Sequence, residues 1–271
     1  MNISVFGLGY AGAVTAACLA EKGHHIVGVD VSAAKVAAFN AGESPVLEPE
    51  LGELLRQANG RGCLRATTDA REAVERTDLS IVCVGTPALA SGRLNLDFVR
   101  KVTGQVRDAL RECGKKHMVM FRSTMLPGST RQLVAEYFED IITAGLLQVY
   151  YCPEFLREGT AVSDFREPSL AVIGTADGCP SAEAGVAGLL GGEPKLLNWE
   201  GAELVKYACN AFHALKVGFA NEMGRLGKAL GIDGARVMEV LCRDTRLNIS
   251  RSYLRTGNPF GGSCLRKDVS A

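Results

Sequence analysis

A glycine-rich turn directly follows the first apolar segment of this sequence. Ile3–Phe6 is a short apolar run, Gly7-Leu8-Gly9-Tyr10-Ala11-Gly12 comes next, and the alanine-rich stretch Ala13–Lys22 follows it. The first glycine permits a tight turn, the second lets the backbone approach a ligand, and the third lets a helix pack close to the strand. The chain is therefore expected to begin with a strand, a sharp turn and a helix.

The same alternation continues through the first half of the chain. The further apolar runs are Ile26–Asp30, Leu79–Val84, His117–Phe121 and Val149–Tyr151, and further amphipathic stretches include Ala33–Ala41 and Asp97–Cys113. Buried strands separated by helices predict parallel βαβ units with right-handed crossovers. A hydrophobic fraction of 47% with only 6% aromatic residues suits short strands packed on alanine-rich helices. We predict an α/β fold with a Rossmann-type, doubly wound parallel sheet.

Apolar residues later recur in steps of three and four, which indicates one long helix with an apolar seam. The seam residues are Leu204, Ala208, Phe212, Leu215, Phe219, Met223, Leu226 and Leu230. Gly231 is expected to end this helix, and Asp233 to cap the next helix over Gly234–Leu241. A seam of this length needs a covering surface, which a partner subunit or a further domain of the whole protein would supply. We predict a homodimer formed through the long helix.

The texture of the sequence changes at Gly191-Gly192-Glu193-Pro194, which is a candidate linker. We expect the Rossmann domain to span residues 1–193 and an all-helical domain, serving dimerisation and catalysis, to span 194–271. The sequence stops at Ala271, directly after an apparent active-site segment. The expectation is that a last domain of the whole protein is absent from these residues.

Charge and cysteine content exclude several classes of function. Thirty basic residues balance thirty acidic residues, which argues against nucleic acid or an anionic membrane surface as a partner. Nine cysteines are scattered along a chain without a secretory leader, so reduced thiols and a cytoplasmic location are expected. No apolar stretch is long enough to span a membrane. No metal site is expected.

The glycine-rich turn predicts a dinucleotide site. A helix that begins directly after it would direct free N–H groups at a pyrophosphate. Asp30 ends the second apolar run, where a carboxylate can accept both ribose hydroxyls and repel a 2′-phosphate. NAD is therefore the predicted cofactor, in preference to NADP. The alternative is a structural turn with a solvated Asp30.

Charged residues follow the last apolar run of the first half, in the segment Tyr151-Cys152-Pro153-Glu154-Phe155-Leu156-Arg157-Glu158-Gly159. Open α/β sheets bind ligands at the carboxyl ends of their strands, so this segment is a candidate ligand site. A polar helix start explains the segment equally well.

The long helix also carries a second stripe, formed by Lys206, Asn210, His213, Val217 and Asn221. Steps of three and four residues place these side chains on one helix face, opposite the apolar seam. A solvated face would consist mainly of lysine and glutamate, whereas asparagine and histidine suit a polar ligand. Taken singly, each of these residues is more often an ordinary polar residue, but together they favour a site.

A cysteine near the end of the sequence has the surroundings of a nucleophile. Cys264 follows Gly261-Gly262-Ser263 and precedes Lys267 and Asp268. A cysteine in the first turn of a helix, near a lysine, has a stabilised thiolate. Asp268 would share its helix face. The other eight cysteines are interpreted as inert thiols, most of them in the core.

With these motifs the chain resembles the UDP-glucose/GDP-mannose dehydrogenases, a family of nucleotide-sugar dehydrogenases, over essentially its whole length, and its GDP-mannose branch most. The segments that carry the resemblance are Gly7–Gly12, Val84–Pro87, Arg122–Thr124, Pro127–Thr130, Pro153–Glu158, Lys206–Asn221, Arg246–Arg251 and Phe260–Asp268. The resemblance implies a third, nucleotide-binding domain in the whole protein, beyond these residues.

The resemblance implies an NAD-dependent, four-electron oxidation of a nucleotide sugar's C6 alcohol to the uronate, with GDP-mannose the expected substrate. Cys264 would attack the intermediate aldehyde, and a thioester would form and be hydrolysed. The other implied catalytic residues, which stabilise an oxyanion or handle water and protons, are Lys206, Asn210, Asp268, Glu154 and Thr124.

Two binding sets follow from the same resemblance. NAD would be bound by Gly7, Gly9, Tyr10, Ala11, Gly12, Asp30, Lys35, Thr86 and Thr124. The nucleotide sugar would be bound by Leu156, Glu158, Lys206, Asn210, His213, Asn221, Tyr253, Arg255, Gly261 and Lys267.

The sequence departs from the family pattern at three positions. Cys152 stands in place of an asparagine, Ser252 in place of an aromatic residue, and Arg266 in place of a proline. The alternative functions are a UDP-glucose 6-dehydrogenase, a 3-hydroxyacid dehydrogenase that would need no Cys264, and a catalytically silent NAD-binding remnant.

Overall fold

One mixed sheet organises the first part of the computed structural model, which describes residues 1–91, 93–179 and 186–249. Its strands are β1 (Asn2–Phe6), β2 (His25–Val29), β3 (Leu64–Thr67), β4 (Leu79–Val82), β5 (His117–Phe121), β6 (Leu147–Tyr151), β7 (Val172–Thr175) and β8 (Lys195–Asn198). Their order is β3-β2-β1-β4-β5-β6-β7-β8. The first six strands are parallel, and the order reverses between β1 and β4. This confirms the doubly wound prediction.

The last two strands run against the others. Tyr151 of β6 pairs with Gly174 of β7 in antiparallel fashion, and β8 is parallel to β7. A Cβ on Gly174 would lie 2.8 Å from the Ala202 Cβ and 3.1 Å from the Tyr151 carbonyl oxygen. Glycine is therefore required where a helix crosses closely over this end of the sheet.

The helices of the first part are α1 (Tyr10–Glu21), α2 (Ala33–Asn40), α3 (Leu51–Gly60), α4 (Ala70–Glu75), α5 (Asp97–Cys113), α6 (Ser129–Tyr137), α7 (Glu139–Thr143) and α8 (Ala161–Arg166). Then come the long α9 (Trp199–Leu230) and α10 (Gly234–Leu241). None of the helices within the described residues is long and apolar enough to cross a bilayer.

Two apolar layers sandwich the sheet. One lies under α1, α3 and α8, and the other under the helices from α4 to α7 and the first turn of α9. Tyr150 and Tyr151, neighbours on β6, are fully buried in opposite layers because successive side chains of a strand point to opposite faces. Each fully buried large side chain contributes about 1.5–3 kcal/mol of hydrophobic stabilisation.

A buried polar chain crosses three central strands inside this sandwich. The Ser4 hydroxyl of β1 lies 2.9 Å from the Ser80 hydroxyl of β4, which lies 2.8 Å from His117 Nε2 of β5. Burial, and secondarily the nearby Lys115, lower the pKa of the His117 imidazole from 6.5 to about 4. The imidazole is therefore neutral at physiological pH.

The structure corrects several predicted boundaries. The run Leu79–Val84 leaves the sheet after Val82, because the Val84 carbonyl accepts a hydrogen bond of 2.7 Å from the Ser123 side chain instead of a strand partner. Strands β3, β7 and β8 were not predicted from the sequence.

The chain divides into two compact units, residues 1–209 and the residues from Asn210 onward. Strand β8 begins just beyond the candidate linker at 191–194 and belongs to the main sheet. The proposed domain boundary at residue 193 stays a prediction.

Within the second unit, α9 and α10 form a tight helical pair. Helix α9 ends at Leu230, Gly231 adopts a φ of +67°, and the Asp233 side chain accepts a hydrogen bond from the Arg236 amide, as predicted. A Cβ on Gly234 would lie 2.8 Å from the Gly224 Cα, so the two backbones are in contact.

Candidate functional site

The loops that follow β4 and β5 meet at the carboxyl edge of the sheet. The Thr86 hydroxyl, in the loop after β4, donates a hydrogen bond of 2.9 Å to the carbonyl oxygen of Thr124, in the loop after β5. The strand order reverses between β1 and β4, and a crevice for ligands opens at this point in doubly wound sheets. The two threonines predicted to bind NAD therefore lie together at the expected place.

The glycine-rich turn between β1 and α1 leaves room for a ligand. Gly7 adopts a φ of +93°, and a Cβ on Gly12 would lie 1.8 Å from the Gly7 carbonyl oxygen, so the fold itself requires both glycines. A Cβ on Gly9 would meet no protein atom within 4 Å. Gly9 thus leaves open space beside the start of α1, which fits the close approach of a pyrophosphate.

Asp30 holds the glycine-rich turn in place. Its Oδ2 accepts a hydrogen bond of 2.8 Å from the Leu8 amide, and its Oδ1 accepts one of 3.0 Å from the Ser32 amide. Lys35 Nζ lies 3.7 Å from the same carboxylate. Each carboxylate oxygen retains a lone pair for a ribose hydroxyl. The sequence analysis did not predict the bond to Leu8.

A cleft of about 360 Å³ opens beside the turn and Asp30. Four of the predicted NAD residues line it, namely Gly7, Gly9, Asp30 and Lys35. Helix α5 lines the other side with Phe98, Lys101, Val102 and Gln105, which the sequence analysis did not predict. These residues recur in steps of three and four on an amphipathic helix, and this spacing is the signal that the sequence offered. In the structure Phe98 is 54% exposed, whereas an apolar residue of the core would be buried. The cleft and its apolar wall fit the adenosine half of a dinucleotide.

Two of the residues predicted to be catalytic form a buried ion pair. Lys206 Nζ, on α9, lies 2.8 Å from Glu154 Oε1 and 2.5 Å from the Glu154 carbonyl oxygen. The side chains are only 7% and 18% exposed. The other oxygen of the carboxylate accepts a hydrogen bond of 2.8 Å from the Leu156 amide. An ammonium has three N–H donors, so one remains for a ligand.

Glu203 fixes the first turns of α9 and therefore the position of Lys206. Its carboxylate is fully buried and accepts hydrogen bonds from the Gly128 amide at 2.6 Å and from the amide and hydroxyl of Thr130, both at 2.7 Å. Burial raises the pKa of Glu203 even though these hydrogen bonds oppose the shift. Glu203 thereby caps α6, a link that the sequence analysis did not predict.

The segment after β6 is irregular rather than helical up to Gly159, so the alternative of a polar helix start is wrong. It places Leu156 beside the ion pair, whereas Glu158 is exposed. Tyr10, at the start of α1, points its hydroxyl at Glu48 and at the amide of Gly159.

The rest of the polar stripe lies in the second unit. Asn210, His213 and Asn221 lie on α9 and are exposed, while Lys206 of the first unit is buried. The predicted seam starts with an exposed residue, since Leu204 is 57% exposed. Its members in the second unit include Leu215, which is 67% exposed.

Six predicted site residues lie outside the described part of the chain: Cys264, Asp268, Tyr253, Arg255, Gly261 and Lys267.

Among the described cysteines, Cys18, Cys83 and Cys152 are buried. Burial raises the pKa of the Cys152 thiol to about 12 and that of Cys83 to about 11, which makes both inert at neutral pH. Within residues 1–91, 93–179 and 186–249, no group of three histidine, cysteine or acidic side chains is arranged to hold a metal ion.

Two family models match the chain. Residues 1–185 match the NAD binding domain of the UDP-glucose/GDP-mannose dehydrogenase family, and residues 200–271 match the central domain of that family. Together the two models match all of the chain except residues 186–199.

Individual relatives point to the same family. The GDP-mannose 6-dehydrogenase of Azotobacter vinelandii is 48% identical over 275 residues, which cover all of this chain and 63% of the relative. A UDP-glucose 6-dehydrogenase of Haloferax volcanii is 35% identical and is covered to 64%. A crystal structure of a ternary complex of GDP-mannose dehydrogenase from Pseudomonas aeruginosa superposes with a TM-score of 0.95 at 44% identity, with all of this chain and 63% of that chain covered. The chain thus spans about 63% of the length of the relative from Azotobacter.

Proposed function

The chain belongs to the UDP-glucose/GDP-mannose dehydrogenase family, and from that premise we propose that it oxidises the C6 alcohol of a nucleotide sugar to the carboxylate with NAD. The observation that carries the proposal is the buried pair of Lys206 and Glu154 at the carboxyl edge of a sheet that also presents the glycine-rich turn. Burying a charged pair is costly, and this pair lies just past the carboxyl end of β6, where open α/β sheets bind ligands.

The proposed substrate is GDP-mannose. The support is the identity of 48% with a GDP-mannose 6-dehydrogenase against 35% with a UDP-glucose 6-dehydrogenase. UDP-glucose is the second candidate, because both names occur among relatives that cover the whole chain.

The described residues suit NAD. When bound, NAD accepts a hydride from the carbon that is oxidised. The open space at Gly9 would admit the pyrophosphate, Asp30 would accept the ribose hydroxyls, and the wall of α5 would cover the adenine. Tyr10, Ala11, Gly12, Thr86 and Thr124 are proposed to complete the NAD site.

Lys206 and Glu154 are proposed to act on the reacting oxygen. The free N–H of the Lys206 ammonium would stabilise the negative charge that develops there, with help from Asn210. Glu154 keeps a lone pair on each carboxylate oxygen and would accept a proton, directly or through water ordered by Thr124. The Leu156 amide and Lys206 hold the carboxylate in one orientation.

The covalent step is proposed for Cys264. A first hydride transfer with loss of the alcohol proton gives an aldehyde, and the Cys264 thiol adds to it as a thiohemiacetal. A second hydride transfer and loss of a proton give the thioester. Water, activated with the help of Asp268, releases the carboxylate and restores the thiol. Each uronate therefore consumes two equivalents of NAD.

The remaining proposed substrate contacts are Leu156, Glu158, His213, Asn221, Tyr253, Arg255, Gly261 and Lys267.

We also propose that the seam of α9 forms a homodimer, because Leu215 and Phe219 are 67% and 46% exposed in the single chain. A cytoplasmic location is proposed because the eight described cysteines are free thiols.

The experiment that tests the function uses the whole protein and measures NADH formed per uronate released, with GDP-mannose and UDP-glucose compared at equal concentration. Two equivalents with GDP-mannose are expected. Cys264→Ser should abolish uronate release while NAD binding is retained, and Cys242→Ser, an exposed cysteine of α10's end, serves as the matched control. One equivalent of NADH, or normal turnover by Cys264→Ser, would show that the thioester route is wrong.

The dimer has its own test. Light scattering is expected to give twice the mass of one chain, and Leu215→Glu should produce monomers. A monomer in the unmutated protein would contradict the dimer without affecting the proposed reaction.

A further inference from the structure

Glu48 connects the glycine-rich turn to the segment that follows β6, although it belongs to neither of them. It lies between α2 and α3, in the stretch Ser44–Glu50, and is partly buried. Its carboxylate oxygens accept hydrogen bonds from the Gly159 amide at 2.8 Å and from the Ala161 amide at 2.7 Å. The Tyr10 hydroxyl donates a third hydrogen bond to the same group.

The bonds of Glu48 reach two segments that are far apart in sequence. Tyr10 is part of the glycine-rich turn, whereas Gly159 and Ala161 end the segment that carries Leu156 and Glu158. The Gly159 amide also lies 3.2 Å from the Tyr10 hydroxyl, so the three groups form one closed cluster. These hydrogen bonds connect the glycine-rich turn directly to the end of the 154–161 segment.

The cluster requires an ionised carboxylate. Burial alone would raise the pKa of Glu48, but the hydrogen bonds from Tyr10, Gly159 and Ala161 outweigh it and lower the pKa below its ordinary value. The Tyr10 phenol shows the reciprocal effect, since burial and Glu48 raise its pKa to about 12. Both shifts keep the proton on Tyr10 and the charge on Glu48 at physiological pH.

We propose that Glu48 is a positioning residue that couples NAD binding at the glycine-rich turn to the conformation of the 154–161 segment, and thereby to nucleotide-sugar binding. The effect on the nucleotide sugar rests on the proposed function, whereas the coupling itself rests on NAD binding alone. NAD fixes the turn, the turn fixes Tyr10, and Glu48 then holds the amides of Gly159 and Ala161. Ordering the segment in advance lowers the entropy cost of binding the sugar nucleotide.

Hydrogen–deuterium exchange of the peptide that covers residues 157–163 tests the coupling without turnover. Saturating NAD is expected to slow its exchange by about tenfold in the unmutated protein, a typical strength of coupling between sites. In Glu48→Gln the amide group offers one acceptor oxygen where the carboxylate offered two, so NAD should slow exchange by less than about twofold.

Asp164→Asn is the matched control. Asp164 also accepts bonds from this segment, from the Arg157 amide at 2.9 Å and from the Arg157 guanidinium at 2.6 Å, but it makes none to the glycine-rich turn. Its loss should speed exchange with and without NAD while the effect of NAD remains. Tyr10→Phe, which removes a single oxygen atom, should abolish the NAD effect as Glu48→Gln does and guards against a folding defect in the latter.

Steady-state kinetics then separates positioning from a structural role. Glu48→Gln should raise the KM for GDP-mannose about tenfold, the equivalent of one lost hydrogen bond to a charged group, with kcat changed less than about threefold. Equal protection by NAD in Glu48→Gln and the unmutated protein, or protection in neither, would overturn the proposal. If no NADH forms at all, the proposed function fails while the exchange data still decide the role of Glu48.

Discussion

At the scale of single residues, the site depends on carboxylates that do two things at once. Asp30 holds the glycine-rich turn through Leu8 and offers its remaining lone pairs to a ligand. Glu154 holds Lys206 and is itself held by the Leu156 amide. Both residues could be predicted from the sequence as ligand groups, because Asp30 follows β2 directly and Glu154 comes shortly after β6. Their structural bonds could not, since they depend on how loops meet in space.

Lys206 allows the sharpest test at this scale. Lys206→Met keeps the length of the side chain but removes its charge, which leaves the buried Glu154 carboxylate without a charged partner. We expect kcat to fall by about 100-fold or more and the free energy of unfolding to fall by about 3 kcal/mol. Lys216→Met, an exposed lysine on the same helix, should change neither quantity. Near-normal kcat in Lys206→Met would remove Lys206 from the proposed mechanism.

Asp30 should decide the choice of cofactor. In the unmutated protein, NAD is expected to bind at least about tenfold more tightly than NADP, because the carboxylate repels a 2′-phosphate. Asp30→Asn should narrow this ratio and weaken NAD binding, since an amide nitrogen would then face the Leu8 or the Ser32 amide. Asp69→Asn, another carboxylate that accepts backbone amides, is the control. Titration calorimetry with both cofactors measures the ratio, and equal affinities in the unmutated protein would contradict the expectation.

At the scale of helices and strands, the success of sequence-based prediction depended on how local each signal was. The strand at His117–Phe121 and the helix at Asp97–Cys113 have the predicted bounds, because their periodicity is contained within themselves. Strand β8 was missed because its four residues, Lys195–Asn198, are too few to show an alternation of apolar and polar residues. Its pairing partner is β7, at the end of the sheet where the strand direction reverses. Glu48 and Gly159 are 111 residues apart, so no local pattern marks their bond.

The His117 chain across β1, β4 and β5 predicts sensitivity to acid. A folded-state pKa of about 4 against 6.5 in the unfolded chain means that the unfolded state binds the proton more readily below pH 6.5. Stability is therefore unaffected above that pH and is lost as the pH falls from 6.5 towards 4, by about 2 kcal/mol at pH 5.

His117→Gln should remove this part of the pH dependence. Urea unfolding at pH 7.5 and pH 5 measures the free energy of unfolding. His25→Gln is the control, because His25 is the exposed first residue of β2. If the free energy of unfolding changes equally between the two pH values in His117→Gln and in the unmutated protein, another group is responsible for the pH dependence.

The contact between α9 and α10 predicts opposite effects for two glycines. Gly234→Ala would press its Cβ to 2.8 Å from the Gly224 Cα and 3.0 Å from the Met223 carbonyl oxygen, and should destabilise the pair by about 1–3 kcal/mol. Gly224→Ala meets open space and should stabilise α9 by about 0.5–1 kcal/mol. Thermal unfolding followed by circular dichroism compares them, and destabilisation by both would contradict the assigned contact.

At the scale of the whole molecule, the two units should respond differently to the cofactor. Trp199 is the single tryptophan of the sequence, is buried in the first unit, and donates a hydrogen bond of 3.2 Å to the Val149 carbonyl. Its fluorescence therefore reports the unfolding of the unit that contains the candidate NAD site.

NAD at one hundred times its dissociation constant should stabilise the first unit by about 2.7 kcal/mol. We expect the midpoint of the Trp199 transition to rise by roughly 5 °C or more. NADP at the same concentration is the control and should raise it less. An unchanged midpoint with NAD would contradict binding by the first unit.

The anchoring of the first turns of α9 has a consequence for the length of chain between Glu203 and Lys206. The first turns of α9 run alongside β6. Trp199 bonds to Val149 in the middle of that strand, and Lys206 bonds to Glu154 shortly after the strand ends. Between them, Glu203 accepts a hydrogen bond from the Thr130 amide at the start of α6. One inserted residue between Glu203 and Lys206 would rotate the ammonium by about 100° and carry it out of the site. The number of residues between Glu203 and Lys206 is therefore fixed by the contacts of both side chains, and a one-residue insertion there should break the ion pair with Glu154.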